Sequence, residues 1–187
     1  MLALNAYRAW SRRRPLSAAF ATCFVKGSAS DAVAQHLEDE PFDAPRNFAF
    51  ATFSGAYLGI GQHFVYNIAF TRAFGAGRDW ATAAKKVAAD SFAHVPLVYL
   101  PLYYPFKAVA LGDGPYGERA ADGLRRYADD APVVLTTYWK TWPAVHFVSF
   151  SVLPPELRIG FVASASFLWL IFLSYASHET RAPAAED

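Results

Sequence analysis

The chain has little of what most enzymes and metal proteins need. It holds one cysteine, Cys23, and one methionine in 187 residues. A single cysteine excludes an internal disulfide and any Cys-rich metal site. Charged residues make up 18%, against about 25% in a typical soluble domain. The formal net charge of +1 gives no field that would gather nucleic acid or a strongly acidic partner. There is no H-E-x-x-H, no G-x-S-x-G and no P-loop, so the common zinc-hydrolase, serine-nucleophile and P-loop motifs are absent. Asp90, Ser91 and His94 are the residue types of a triad. At i, i+1 and i+4 of one helix they cannot line up as nucleophile, base and orienter. Cys23 lies in an apolar run and reads as packing rather than as a nucleophile. No enzymatic activity, cofactor or metal site is expected.

What the chain has is apolar surface. Hydrophobic residues reach 54% and aromatics 17%. The mean hydropathy is only +0.14, so membrane helices here must be interrupted by polar residues. Five apolar segments stand out: Pro15 to Leu37, Asn47 to Thr71, Val87 to Leu111, Ala131 to Leu153 and Ile159 to Ser177. A span needs about 20 mostly apolar residues. The second and fifth meet this without help, and the other three only if their polar groups face protein or water. The linking pieces are polar. HLEDEPFDAPR reads as a loop. RAFGAGRDWATAAKK is a turn in which Asp79 can cap a helix. GDGPYGERAADGLRRYADD reads as a turn and a short interfacial amphipathic helix. The expected layout is a basic segment over 1–14, one transmembrane helical domain over 15–178, and a polar tail over 179–187.

The first thirty residues carry five basic side chains, Arg8, Arg12, Arg13, Arg14 and Lys26, and no acid before Asp31. That pattern suits a mitochondrial import signal or a basic flank of a membrane segment, and the two readings are compatible. Only Arg46 lies between the first and second segments, while four Lys or Arg separate the second from the third. By the positive-inside bias, the N-terminus and the second loop share one side.

Polar residues inside apolar runs mark where lipid cannot be the neighbour. Ala51, Gly55, Gly59, His63 and Asn67 recur every four residues, as do Ala19, Cys23, Gly27, Asp31 and Gln35. Such small-residue stripes let helix backbones approach, and the two stripes are candidates to pack on each other, with Gly27, Gly55 and Gly59 at the contact. An aspartate at the centre of a lone span costs about 2.5–3.5 kcal/mol, so Asp31 and Asp90 must face protein or water. Lys86, Asp90 and His94 share a helix face, as a structural ion pair or as a proton or ion path; the structural reading is favoured. Lys140, His146 and Arg158 complete the pore or buried-polar candidates. Pro96, Pro101, Pro105 and Pro143 are the expected kinks.

Ordered motifs give the chain a resemblance. Tyr7, Pro15, Asp31 and Gln35 follow one family pattern, with Ser30 in place of a glycine. Gly59, His63 and Tyr66 follow a second, and Lys85, Lys86, Asp90 and Pro96 a third. The fullest is Trp139, Lys140, Trp142, Pro143, Phe150, Pro154 and Arg158, closed by Trp169, Leu173 and Ser174. Tyr138, His146, Ser149 and Leu153 replace three amides and a valine there. In this order the motifs resemble the Mpv17/PMP22 family of small mitochondrial and peroxisomal integral membrane proteins, over nearly the whole chain. The resemblance implies an all-α bundle of four transmembrane spans, with one further segment kinked or interfacial, and weakly selective channel-like activity in some members. It implies no catalytic residue.

Three functions are therefore weighed. The first is a channel of the mitochondrial inner membrane (peroxisomal membrane as the alternative) passing small solutes. It rests on Asp31, Asp90, Lys140 and Arg158 and on the broken third segment. The second is a non-catalytic accessory subunit of a respiratory or ATP synthase complex, resting on the aromatic surface, the small-residue stripes and the lost amides. The third is a soluble helical ligand-binding domain, which carbonate extraction separates from the other two. The expected partners are the lipid bilayer and either a homo-oligomer or a larger inner-membrane complex, with no nucleic acid.

Overall fold

The computed structural model describes residues 2–38 and 41–179, with side chains described up to residue 171. The polar tail beyond residue 179 lies outside the described residues. Every regular element described is helical: α1 (Leu2–Arg13), α2 (Pro15–Leu37), α3 (Ala44–Phe53), α4 (Phe70–Phe74), α5 (Trp80–Ala89), α6 (Leu100–Leu111), α7 (Tyr116–Ser151) and α8 (Pro155–Glu179). Three stretches, Ser54–Gly61, Phe64–Ala69 and Asp90–Tyr99, wind as π-helix, with bonds reaching five residues back instead of four. Residues 44–74 and 80–111 are thus two continuous helical runs in which α and π turns alternate. No single helix among the described residues is long and apolar enough to cross a membrane.

The chain divides into two compact units, one of residues up to Ile60 with those from Ile159 onward, the other Gly61–Arg158. In the first, α2 starts where Pro15 supplies a fixed φ at the first turn. Its buried residues are Ala18, Ala19, Cys23, Gly27, Asp31 and Gln35. That face meets α3 and the π-turns after it at backbone distance. A Cβ on Gly27 would lie 2.5 Å from Ser54 Cβ, and one on Gly59 would lie 2.6 Å from the Ala19 carbonyl oxygen. Gly55 faces the Phe20 ring at 2.8 Å.

The second unit packs α5, the π-segment Asp90–Tyr99 and α6 against α7. Here the helix count differs from the sequence expectation. The separate amphipathic helix and the fourth apolar segment are one 36-residue helix, α7, continuous through Pro132 and Pro143. An interior proline costs about 3 kcal/mol, and contacts to α6 hold the first half of α7 in line. A Cβ on Gly123 would lie 2.6 Å from Pro105 Cα, and Tyr104 Oη donates to Asp130 Oδ2 at 3.2 Å.

Candidate functional site

The π-segment carries the densest buried polar chemistry of the second unit: Asp90, Ser91 and His94 are all buried. Prolines decide how it is tied down. In a π-turn the N–H of residue i reaches the carbonyl of residue i−5, as Leu100 does to Val95. Pro96 and Pro101 have no N–H, so the carbonyls of Ser91 and Pro96 lose their helical partner. Both are recaptured from α7. Trp139 Nε1 donates to the Ser91 carbonyl at 3.0 Å, and Tyr127 Oη to the Pro96 carbonyl at 2.6 Å. Buried carbonyls need such partners, so α7 and the proline-broken segment fit as a pair.

Asp90 sits at the centre, with no solvent exposure. Its Oδ1 lies 2.7 Å from His94 Nδ1, and its Oδ2 accepts from Tyr138 Oη at 2.6 Å. His146 Nε2 is 3.5 Å from Oδ2. Aromatic rings close the site. Tyr66 meets His94, His146 and Phe150 edge-on at 5.8, 5.4 and 5.2 Å. On α7, Tyr138, Trp142, His146 and Phe150 stack ring on ring at every fourth residue.

Two cations are buried in the same unit. Lys86 is 0% exposed, and its Nζ lies 3.4 Å from the Gly77 carbonyl. Arg158 is 1% exposed; its Nη1 donates to Asn67 Oδ1 at 3.1 Å, and its guanidinium sits over the Phe150 ring. Asn67 in turn reaches His63 Nδ1 at 3.2 Å and the Pro155 carbonyl at 3.3 Å. Five buried polar atoms of this unit have no hydrogen-bond partner among the described residues: Ser91 Oγ, His146 Nδ1, Ser149 Oγ and Arg158 Nε around this interior, and Arg119 Nε at the far end of α6. A buried polar atom left unpaired costs about 1–3 kcal/mol, so the interior retains polar capacity that the protein does not itself fill.

The other candidates lie elsewhere. Asp31 and Gln35 belong to the first unit, in a closed network. Asp31 accepts from Gln35 Nε2 at 2.6 Å, Arg46 Nε at 3.1 Å and Asn47 Nδ2 at 3.2 Å. Lys140 corrects the sequence expectation, because it is exposed. Two residues past Tyr138 it has turned about 200° around the helix, away from Asp90. Tyr138 and Tyr66 are the site residues that sequence reasoning missed. The four-residue aromatic column on α7 was the available signal for Tyr138.

Chemically, the cluster is a carboxylate held by a phenol and an imidazole, with a second imidazole beside it. It can take up a cation or relay a proton. Among the described residues, no group of His, Cys, Asp or Glu is arranged to hold a metal ion. Residues 117–174 match the family model described as Mpv17 / PMP22 family. The chain is 29% identical to Protein SYM1 of Kluyveromyces lactis over 53% of this chain and 48% of that one. It is 26% identical to Protein sym-1 of Neurospora crassa over 92% of this chain and 97% of that one. It is 27% identical to the rat protein named Mitochondrial inner membrane protein Mpv17 over 55% of each. The chain thus spans about half the length of two of these relatives and nearly all of the third. No solved structure matches.

Proposed function

The chain belongs to the Mpv17 / PMP22 family, and from that premise we propose that it is an integral protein of the mitochondrial inner membrane that passes small solutes with weak selectivity. The rat relative, named as a mitochondrial inner membrane protein, supports the compartment. The four-span reading takes each continuous run of α and π turns as one membrane element, so that the interrupted runs over 44–74 and 80–111 count once each. Non-helical or irregular backbone at membrane depth is tolerated where it is buried in protein or lines a cavity, and the π-turns fit that rule.

The observation that carries the solute reading is the buried polar interior of residues 61–158, where Lys86, Asp90, His94, His146 and Arg158 are buried and Ser91, His146, Ser149 and Arg158 each carry an unpartnered polar atom. Ionisable groups at membrane depth mark solute or proton routes more often than they mark stability. The test is reconstitution of the purified chain into sealed vesicles, with conductance and the release of small charged and neutral solutes as readouts. Flux above protein-free vesicles is expected, with Asp90→Asn altering it. A tight bilayer at every voltage and pH tried overturns the reading.

A second reading, a non-catalytic subunit of a larger inner-membrane complex, draws on large apolar side chains exposed on the second unit, among them Trp80 at 79% and Leu97 at 71%. It requires co-migration with a respiratory or ATP synthase complex on native gels. Migration as a free small species counts against it.

A further inference from the structure

Away from Asp90, α6 and the first half of α7 enclose a cleft of about 580 Å³, a volume in the range of small-ligand sites. Its walls are fixed. Gly123 brings the two helices to backbone contact beside Tyr104 and Pro105, and Gly114, at φ +99°, turns the chain between them. Arg119 closes the rim by donating to the Val109 and Gly112 carbonyls at the end of α6.

The charges around the cleft are balanced, three of each sign, but they are not equally committed. Asp130 accepts from Tyr104, Asp122 pairs with Arg125, and Arg119 serves the α6 carbonyls. Lys107, Arg126 and Asp113 line the cleft, are exposed, and make no hydrogen bond or ion pair among the described residues. One and two turns before Lys107 stand the rings of Tyr103 and Tyr99, 5.8 Å apart. Tyr104, 6.2 Å from Tyr103, donates to Asp130 at this same end of α6, far from Asp113. Two uncommitted cations, a pair of aromatic rings and Asp130, which accepts one hydrogen bond and through Oδ2 only, match a ligand that carries both signs. A phosphate is recognised by Arg and Lys, and a quaternary or primary ammonium by aromatic faces with a carboxylate nearby. Leu111, 44% exposed at the mouth, offers apolar surface to whatever the headgroup is attached to.

We propose that this cleft binds the zwitterionic headgroup of a glycerophospholipid, with its phosphate at Lys107 and Arg126 and its ammonium at the tyrosine rings and Asp130. The inference rests on the membrane reading above, because such a lipid reaches the cleft only from a bilayer.

The experiment is native mass spectrometry of the full chain purified in an alkyl maltoside. It is offered phosphatidylcholine, phosphatidylglycerol, diacylglycerol or free phosphocholine in turn. Phosphatidylcholine is expected to be retained over the other three. Lys107→Ala with Arg126→Ala should reduce that retention about tenfold, and Asp130→Asn, which keeps an acceptor for Tyr104, should shift preference toward phosphatidylglycerol. Both sites are exposed, so thermal unfolding should be unchanged. Equal retention of diacylglycerol, or no loss in the double variant, overturns the proposal. Binding of free phosphocholine as tight as that of the lipid overturns the lipid assignment in favour of a soluble phosphate ester. Flotation of the chain with vesicles tests the membrane reading on its own. A chain that floats while the double variant retains lipid as well as the wild type defeats the headgroup site alone.

Discussion

Asp31 and Asp90 look alike in the sequence. Each lies in an apolar segment, each is buried, and each has a polar partner four residues on, Gln35 or His94. Their surroundings differ. Around Asp31 the bonding is complete: three donors converge on the carboxylate, Gln35 exchanges two bonds with the backbone of Asp43, and Asn47 exchanges two with Ser28. The unpartnered hydroxyls of that unit, Ser30 and Ser54, make no bond to Asp31. Around Asp90 the bonding stops short. His146 approaches only to 3.5 Å, and its far nitrogen has no partner. A closed network specifies a fold. An open one spends stability and leaves places for a solute or a proton.

The comparison is broken or sharpened most directly by crossed substitutions. Asp31→Ala takes one acceptor from each of three donors at once, Arg46 among them with a side chain only 16% exposed. A loss of about 3 kcal/mol is expected, read from the denaturation midpoint, with solute flux per folded molecule unchanged. Asp90→Asn keeps an acceptor for Tyr138 and removes the charge. Its flux should change about tenfold or more while stability shifts by less than about 1.5 kcal/mol. If the two variants exchange these outcomes, the assignment of scaffold and site is reversed.

Close packing supplies the next test. Val at Gly59 or at Gly123 drives a side chain into backbone, the Ala19 carbonyl in one case and Pro105 in the other. Overpacking of this kind costs about 1–3 kcal/mol. Loss of lipid retention at the cleft should accompany Gly123→Val alone, since Gly123 fixes the α6–α7 spacing. Equal loss in both variants would mean that the cleft responds to global unfolding.

How much of this was legible depends on the range of the interaction. The helix over Pro15–Leu37 is bounded by the same residues at which its apolar run begins and ends, because proline and polar flanks act locally. The Asp90–His94 pairing follows from a four-residue spacing. Tyr138 reaches Asp90 across 48 residues; the four-residue aromatic column marks Tyr138 but does not name its distant partner. The π-turns were equally hidden, since α and π winding present the same apolar composition. Lys140 was misplaced because a family motif names residues in a row, while a helix sends neighbours in the row to opposite faces.

A smaller effect isolates the proline-freed carbonyls. Trp139→Phe leaves the Ser91 carbonyl without its donor and should cost about 1–3 kcal/mol. Tyr127→Phe, on a half-buried residue, should cost less, about 0.5–1.5 kcal/mol. Pro96→Ala restores an N–H that can reach Ser91. In a double-mutant cycle it should therefore recover part of the Trp139→Phe loss, with a coupling of about 1 kcal/mol. Strict additivity would mean that the indole acts by packing on Phe92, 5.2 Å away, and not by capping the carbonyl.

The smallest effect compares two helix caps. Asp43 accepts from the Arg46 N–H at 2.9 Å and starts α3; Asp79 accepts from the Thr82 N–H at 3.0 Å and starts α5. The Asp43 backbone is also clasped by Gln35. Among the described residues no side chain clasps the Asp79 backbone in this way, and Asp79 is exposed. The Thr82 backbone bond, with help from the Thr82 side chain, holds the Asp79 carboxyl below its ordinary value of 3.8. A depressed folded value means that the cap's contribution is fully present above the unfolded value and fades as pH falls through the folded one. Amide exchange at Thr82 should therefore rise severalfold, relative to its intrinsic rate, in Asp79→Ala at neutral pH and in the wild type below about pH 3.8. Asp79→Asn, which keeps an acceptor, should abolish the acid step while retaining protection. Asp43→Ala should loosen Arg46 less, because Gln35 still holds the turn. Equal fraying at both caps would show that the clasp from Gln35 adds nothing at this end of the first unit.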